Sequence, residues 1–254
     1  MKHISKFTSS TILVLLSFLS MAQEQNTTVK DSIKKDSIVP KKERYGLRVG
    51  VDLFKLTRSF YEKDYRGLEL VGDYRLTRRH YLAAEIGNED KTVDDDRVNF
   101  TTKGTYIKVG FDYNAYQNWG NMENMIYVGL RYGVSSFSQT LNSYLLYNPY
   151  PYFGQATEVT SGEPFNGLSA QWIEVVTGVK TQIFNNFYLG FSFRLNRLLS
   201  QKKPDTFDNL YIPGFNRTYN GNFGVGFNYT VSYFIPLYKA TVKAKKTAAK
   251  KQQK

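Results

Sequence analysis

A chain of 254 residues without cysteine has no disulfide framework, no thiolate metal site and no cysteine nucleophile. Hydrophobic content of 41% and a mean hydropathy of −0.44 argue against an α-helical membrane protein, yet aromatics reach 16%, with 20 Tyr and 18 Phe, high for a soluble domain. The formal charge of +12 gathers at the ends, in Lys2, Lys6 and the acid-free tail Lys239, Lys243, Lys245, Lys246, Lys250, Lys251 and Lys254, whereas Tyr45 to Tyr238 holds 19 basic and 18 acidic residues, so no nucleic-acid partner is expected of the folded body.

Residues 1–22 read as a secretory signal peptide. Lys2 and Lys6 supply the positive start, Thr11 to Leu19 an apolar core too short to span a membrane, and Ser20 and Ala22 the small residues before cleavage at Gln23. The alternative is a retained N-terminal anchor. A lipoprotein anchor is excluded, since no cysteine follows. Residues 23–44 are polar, with the short repeat Lys30-Asp31-Ser32-Ile33 and Lys35-Asp36-Ser37-Ile38, and read as a flexible periplasmic linker.

From residue 45 the pattern changes to period-2 alternation, which places one set of side chains on each face of a strand. The first strand sets Tyr45, Leu47, Val49, Val51 and Leu53 against Arg48 and Asp52. The second sets Leu68, Leu70 and Tyr74 against Glu69, Asp73 and Arg75. The third, the weakest, sets Leu82, Ala84 and Ile86 against Glu85. The fourth sets Ile107, Val109, Phe111 and Tyr113 against Tyr106, Lys108 and Asp112. The fifth sets Ile126, Val128, Leu130 and Tyr132 against Tyr127 and Arg131. The sixth sets Ile173, Val175 and Val179 against Glu174 and Lys180. The seventh sets Phe187, Leu189, Phe191, Phe193 and Leu195 against Tyr188 and Arg194. The eighth, Asn222 to Pro236, alternates for a dozen residues with one break at Phe234. Tilted, such a strand is long enough to cross the hydrocarbon core of a bilayer.

Eight is an even number, as single-chain outer-membrane barrels require. Thr77 to His80 and Asn185-Asn186 read as tight turns, while the connections after the first, third, fifth and seventh strands are longer, above all Ser138 to Gly167 and Ser200 to Tyr219. Ala115 to Asn124 is long for an inner turn. Aromatics at the strand ends, Tyr113, Trp119, Phe184, Phe187, Tyr233 and Tyr238 at one rim and Phe54, Phe137 and Trp172 near the other, match interfacial girdles. The polar faces are rich in Gly and carry balanced charge, Arg48, Arg75, Lys108, Arg131, Lys180 and Arg194 against Asp52, Glu69, Asp73, Glu85, Asp112 and Glu174, as a closed interior network demands. The expected fold is all-β, an eight-stranded antiparallel up-and-down transmembrane β-barrel over 45–238, with a disordered Lys-rich tail at 239–254.

This pattern resembles the small eight-stranded outer-membrane barrels of the OmpA/OmpX membrane-domain type, over about three quarters of the chain. The aromatic-rich style and the Ala22-Gln23 junction also resemble uncharacterised barrels of Bacteroidota. The last strand is similar to the assembly signal of such barrels, but Pro236 and a Lys-rich tail follow where the signal ordinarily ends the chain. The resemblance implies residence in the outer membrane of a Gram-negative bacterium.

No catalytic constellation is found, and neither a cofactor nor a metal is expected. His80, the single histidine after the leader, sits in an inner turn without an oriented partner. Glu89, Asp90 and Asp94 to Asp96 read as a solvated acidic outer loop lacking the spacing of a Ca²⁺ loop. Tyr144, Tyr147, Tyr150, Tyr152 and Phe153 form either an exposed patch for a protein or glycan partner or a lid over the barrel mouth. Lipid is the expected surrounding. The Lys-rich tail either meets an anionic periplasmic partner or is simply solvated. Three function classes follow: a structural, adhesive or binding barrel with a plugged lumen, a membrane anchor in a secretion or transport assembly, or a soluble lipocalin-like carrier.

Overall fold

The computed structural model describes residues 41–242, apart from 117, 119–122, 147–151, 153–156, 205–206 and 217–221. Its strands are β1 (Lys41–Asp52), β2 (Tyr65–Arg75), β3 (His80–Asp95), β4 (Val98–Asn114), β5 (Met125–Leu145), β6 (Glu158–Phe184), β7 (Phe187–Lys202) and β8 (Phe223–Val242). Each runs antiparallel to its chain neighbours, and β8 pairs with β1 to close an eight-stranded barrel.

The alternation decides the faces. Val49, Leu70, Ile86, Val109, Val128, Val175, Phe191 and Tyr229 point outward and are exposed, while Arg48, Glu69, Glu85, Lys108, Arg131, Glu174 and Arg194 point inward and are buried. A soluble lipocalin-like carrier needs the reverse, a greasy lumen and a polar exterior. Phe234, where the alternation breaks, faces inward and is buried, edge-on to Tyr188 and beneath the Arg44 guanidinium.

The paired barrel is longer than the expected 45–238. The β1–β8 ladder continues from Tyr45↔Tyr238 to Lys41↔Val242. Residues 41–44, read as linker, and 239–242, read as tail, are strand because backbone pairing does not stop where the apolar row stops. The strand passes Pro236 through an irregularity, since Tyr45 pairs with Tyr238 but Gly46 with Pro236. Proline offers no N–H and is tolerated at such a bulge.

At the base of the barrel, where residues 41 and 242 meet, the β6–β7 turn holds Asn186 at φ 66°, and Leu76 and Thr77 both donate to the His80 carbonyl across the β2–β3 turn. At the mouth three expectations change. The stretch after β1 is a helix, α1 (Leu53–Tyr61), because the Asp52 carboxylate caps it, accepting from Phe54 N at 2.7 Å and Lys55 N at 3.3 Å. The acidic outer loop is strand. Ladder pairs run to Asp95↔Val98, leaving only Asp96 and Arg97 as the turn, and the third strand, read as weakest, is 16 residues long. Phe137 and Trp172 belong to no girdle. By parity they face inward, and both are buried.

β1 stops early. Its last pairs are Val51↔Leu70 on β2 and Asp52↔Thr230 on β8, whereas β2 continues to Tyr65 and β8 to Phe223. Toward the mouth α1 stands between β2 and β8 in place of a strand.

Candidate functional site: the charged lumen and its inserted loop

The inward residues of neighbouring strands form successive clusters of ion pairs. Near the middle of the lumen, Lys108 on β4 lies 3.4 Å from Glu69 and Glu85 and 3.5 Å from Glu174. Arg194 on β7 forks onto Glu85 at 2.6 and 3.1 Å and reaches Glu174 at 3.1 Å. Arg131 on β5 binds Asp112 at 2.7 Å and approaches Glu85 at 3.5 Å. Glu85 thus meets three cations, which a planar Arg fork and a point-charge Lys can share. Trp172 donates its indole N–H to Glu174 at 2.6 Å.

Toward the base, Asp73 binds Arg48 at 3.2 Å and Lys180 at 2.6 Å. The Arg48 guanidinium lies over the rings of Tyr188 and Tyr81, and Lys180 over Tyr127. Arg75 binds Glu43 at 2.7 Å, and Arg44 binds Glu123 at 2.9 Å. Glu123 also accepts from the Tyr188 hydroxyl at 3.0 Å. Glu123, near the end of the long inner connection, places a carboxylate beneath the lumen, where Arg44, Arg75 and Tyr188 converge.

Toward the mouth, Lys55 reaches in from α1. Its ammonium lies 2.7 Å from Glu69 and 2.7 Å from Glu89, and donates to the Tyr106 hydroxyl. Tyr106 in turn donates to Glu69 at 2.5 Å.

All twelve expected lumen residues face inward, with some unexpected partners. Asp52 joins no salt bridge among the described residues; it caps α1 and accepts from Asn228. The partner of Arg75 is Glu43, from the stretch read as linker. Glu89, read as outer-loop acid, is buried on Lys55. Sequence reasoning missed Glu43, Arg44, Lys55, Glu89 and Glu123, although parity counted along a longer β3 would have found Glu89.

Of the aromatic candidates, Tyr144 stands near the end of β5 opposite Val98 and Val159, and Tyr152 is 94% exposed. Tyr147, Tyr150 and Phe153 lie outside the described residues, as does the choice between patch and lid. What enters the mouth is the β7–β8 connection. Ile212 and Phe215 are fully buried, Phe215 edge-on to Trp172, in a cluster with Tyr106, Phe137, Leu168, Ala170 and Leu198. The Tyr211 hydroxyl donates to Glu89 at 2.6 Å and Gly214 N donates to it at 3.2 Å. Gly214 has φ 81°, and a Cβ there would overlap the Tyr106 ring, so both conformation and space require glycine. The apolar run Tyr211-Ile212-Pro213-Gly214-Phe215, within a stretch read as an outer connection, was the available signal.

His80 is exposed at the base, its Nδ1 2.9 Å from the Thr77 hydroxyl and its ring edge-on to Tyr113. Asp94 accepts from Asn99 at 2.9 Å, and Asp90 pairs with Lys103 at 3.0 Å.

Fold and lumen together define an eight-stranded up-and-down β-barrel with a salt-bridged interior. The chain belongs to the family described as Domain of unknown function (DUF6048), which it matches over residues 4–240. No curated protein matches it. Among solved structures it is similar to Ail, the attachment invasion locus protein of Yersinia pestis, at 12% identity and a TM-score of 0.36, covering 77% of this chain and 99% of that one. The same protein in complex with the heparin analogue sucrose octasulfate gives 11% identity and a TM-score of 0.35 over the same shares. The fold assignment rests on the strand pairing.

Proposed function

We propose that this chain is a non-enzymatic β-barrel of the Gram-negative outer membrane, exported behind a signal peptide cleaved at Ala22. It works through its mouth-side elements as a structural, adhesive or partner-binding barrel, its lumen plugged. One observation carries the reading: every strand turns an apolar row outward and a charged or polar row into a salt-bridged interior. Water would leave that exterior unsatisfied, whereas a bilayer accepts it, and a closed barrel leaves no unpaired strand edge within the hydrocarbon. At the base rim, Tyr113, Phe184, Phe187, Tyr233 and Tyr238 are exposed, and Tyr45 stacks on Tyr238, as an interfacial girdle requires.

The buried carboxylates support the non-catalytic reading. Glu69, Glu85, Glu174, Asp73 and Asp112 each sit against Lys or Arg, and Asp52 is held by α1 and Asn228. A general base needs a carboxylate or imidazole free to take a proton from a substrate.

The test is fractionation of cells followed by electrophoresis with and without boiling. The mature protein is expected in the detergent-extracted outer membrane, and its gel position shifts on heating. Recovery in the soluble periplasmic fraction, or a band unmoved by boiling, rules the reading out.

A further inference from the structure

The wall of this barrel is not all strand. Beyond Val51↔Leu70 and Asp52↔Thr230 the space between β2 and β8 is filled by α1. Among the described residues no backbone hydrogen bond ties α1 to either strand. Side chains do so instead. Gly67 N on β2 donates to the Ser59 hydroxyl at 2.7 Å, and that hydroxyl lies 3.1 Å from the Gly67 carbonyl, standing in for a missing strand. Arg58 covers the Tyr65 ring, and Phe54 packs at 4.7 Å on Phe227, an outward residue of β8. At the far end of α1, Phe60 and Tyr61 are 83% and 71% exposed. Releasing such a segment would break no ladder pair.

Behind α1 lies a cage for a cation. Glu89 offers one oxygen inward; the other is held by the Tyr211 hydroxyl and Gly214 N. Glu69 offers one oxygen, while Asn228 holds the other at 3.1 Å. The Tyr106 ring forms the floor, its centroid 4.5 Å from the ammonium. The barrel and its inserted loop position all three walls. Only the ammonium comes from α1. The inward oxygen of Glu89 accepts no hydrogen bond even with Lys55 seated; the ammonium is its ion-pair partner at 2.7 Å, so withdrawing Lys55 leaves that charge uncompensated. A buried carboxylate in that state demands a new cation.

We propose that α1 is a releasable panel in the barrel wall, and that the Glu69–Glu89–Tyr106 cage behind it binds the primary ammonium head of an amphiphile, a position Lys55 fills in the closed state. The cage sets the head: three N–H donors for two carboxylates and a phenol, and a cation over a ring. The gap opens beside Phe227 on the apolar exterior, the ring that Phe54 covers in the closed state, and an alkyl tail lies there. That tail, unlike the cage, rests on the membrane reading above.

Two experiments on the mature protein in neutral detergent test this. In the first, thermal unfolding of Lys55→Ala is followed by gel shift with n-butylammonium, which carries the missing head. The amine is expected to raise the midpoint of Lys55→Ala while leaving wild type and the Lys55→Ala/Glu89→Gln double variant unmoved. Tetramethylammonium, which has no N–H, is expected to do less. No rise for Lys55→Ala, or an equal rise in wild type, overturns the cage. The second experiment uses wild type and so does not depend on the variant folding. Hydrogen exchange of residues 53–61 is expected to speed up about tenfold or more with dodecylammonium at a concentration where dodecanol has no effect, while the β3–β4 ladder is unchanged. Unchanged exchange in α1 overturns the panel. Equal acceleration by butylammonium overturns the amphiphile as occupant, and a preference for the long chain supports it. Neither readout requires the protein to come from a membrane, so both stand apart from the fractionation test.

Discussion

Arg131 and Asp112 face each other on neighbouring strands inside the barrel, Nη2 to Oδ1 at 2.7 Å, and neither reaches solvent. Asp112 has no other ion-pair partner among the described residues, whereas Glu85 has three. The ion pairing is therefore uneven: redundant at its centre and single-stranded at this pair.

Replacing Arg131 by Met strands a buried carboxylate and is expected to cost about 3–5 kcal/mol, because the partner's charge is left without compensation. Adding Asp112→Asn removes that charge, so the double variant should be more stable than Arg131→Met alone. Urea unfolding of the refolded barrel in lipid vesicles measures both. A double variant less stable than the single one would show that the cost lies in packing and not in the stranded charge.

Gly214 tests the inserted loop separately from the strands. Gly214→Ala places a side chain at φ 81° and into the Tyr106 ring, so strain of about 1–3 kcal/mol falls on the loop. Limited proteolysis should then cut around residues 207–216 faster, while the heat-dependent gel shift of the barrel persists. Loss of the gel shift would mean that the loop is required for the barrel itself to form.

The strand count and the faces were legible because both rest on one local rule. In β8, Phe223, Val225, Phe227 and Tyr229 are all exposed while Asn228 and Thr230 are buried, and this contrast has the period of the pleat. Gly133 was legible for the same reason, as a small residue on a crowded polar face; a Cβ there would meet the Trp172 indole. The mouth was harder. Leu53-Phe54-Lys55-Leu56 continues an apolar stretch, and the cap that turns it into helix, Asp52, also fits the inward row of β1. Glu89 and Lys55 join through a meeting of a strand and a helix that no local period encodes. Glu43 and Glu123 lie beyond the apolar rows, where alternation no longer distinguishes strand from connection.

Orientation in the membrane follows from the pairing of Lys41 with Val242, which brings both ends of the barrel to the base. Under the proposed export behind a signal peptide, the chain arrives from the periplasm and that base is expected to be periplasmic. Protease added to whole cells should then cut within residues 138–167 and spare a tag placed after Lys254. A tag that antibody reaches on intact cells would reverse the orientation and with it the outward role of the mouth.

The lumen is expected to pass no steady porin-like current in planar bilayers. Eight strands enclose an interior just wide enough for side chains, and here successive ion-paired clusters fill it between Glu89 near the mouth and Glu123 at the base. The inserted loop is only the upper stopper. Replacing residues 207–216 by a short Gly-Ser link removes Ile212 and Phe215 but leaves Lys108, Arg194, Arg131 and their carboxylates in place, so this variant should remain closed. A second variant, Arg194→Ala with Glu85→Ala, removes the bidentate pair and two long side chains from the central cluster. Small, flickering currents are expected from it, because the remaining cations, Lys108 and Arg131, lose a shared partner and gain water. Steady conductance in wild type would refute the plug. Steady conductance after loop replacement alone would place the whole barrier at the mouth and leave the ion-paired clusters with a purely structural role.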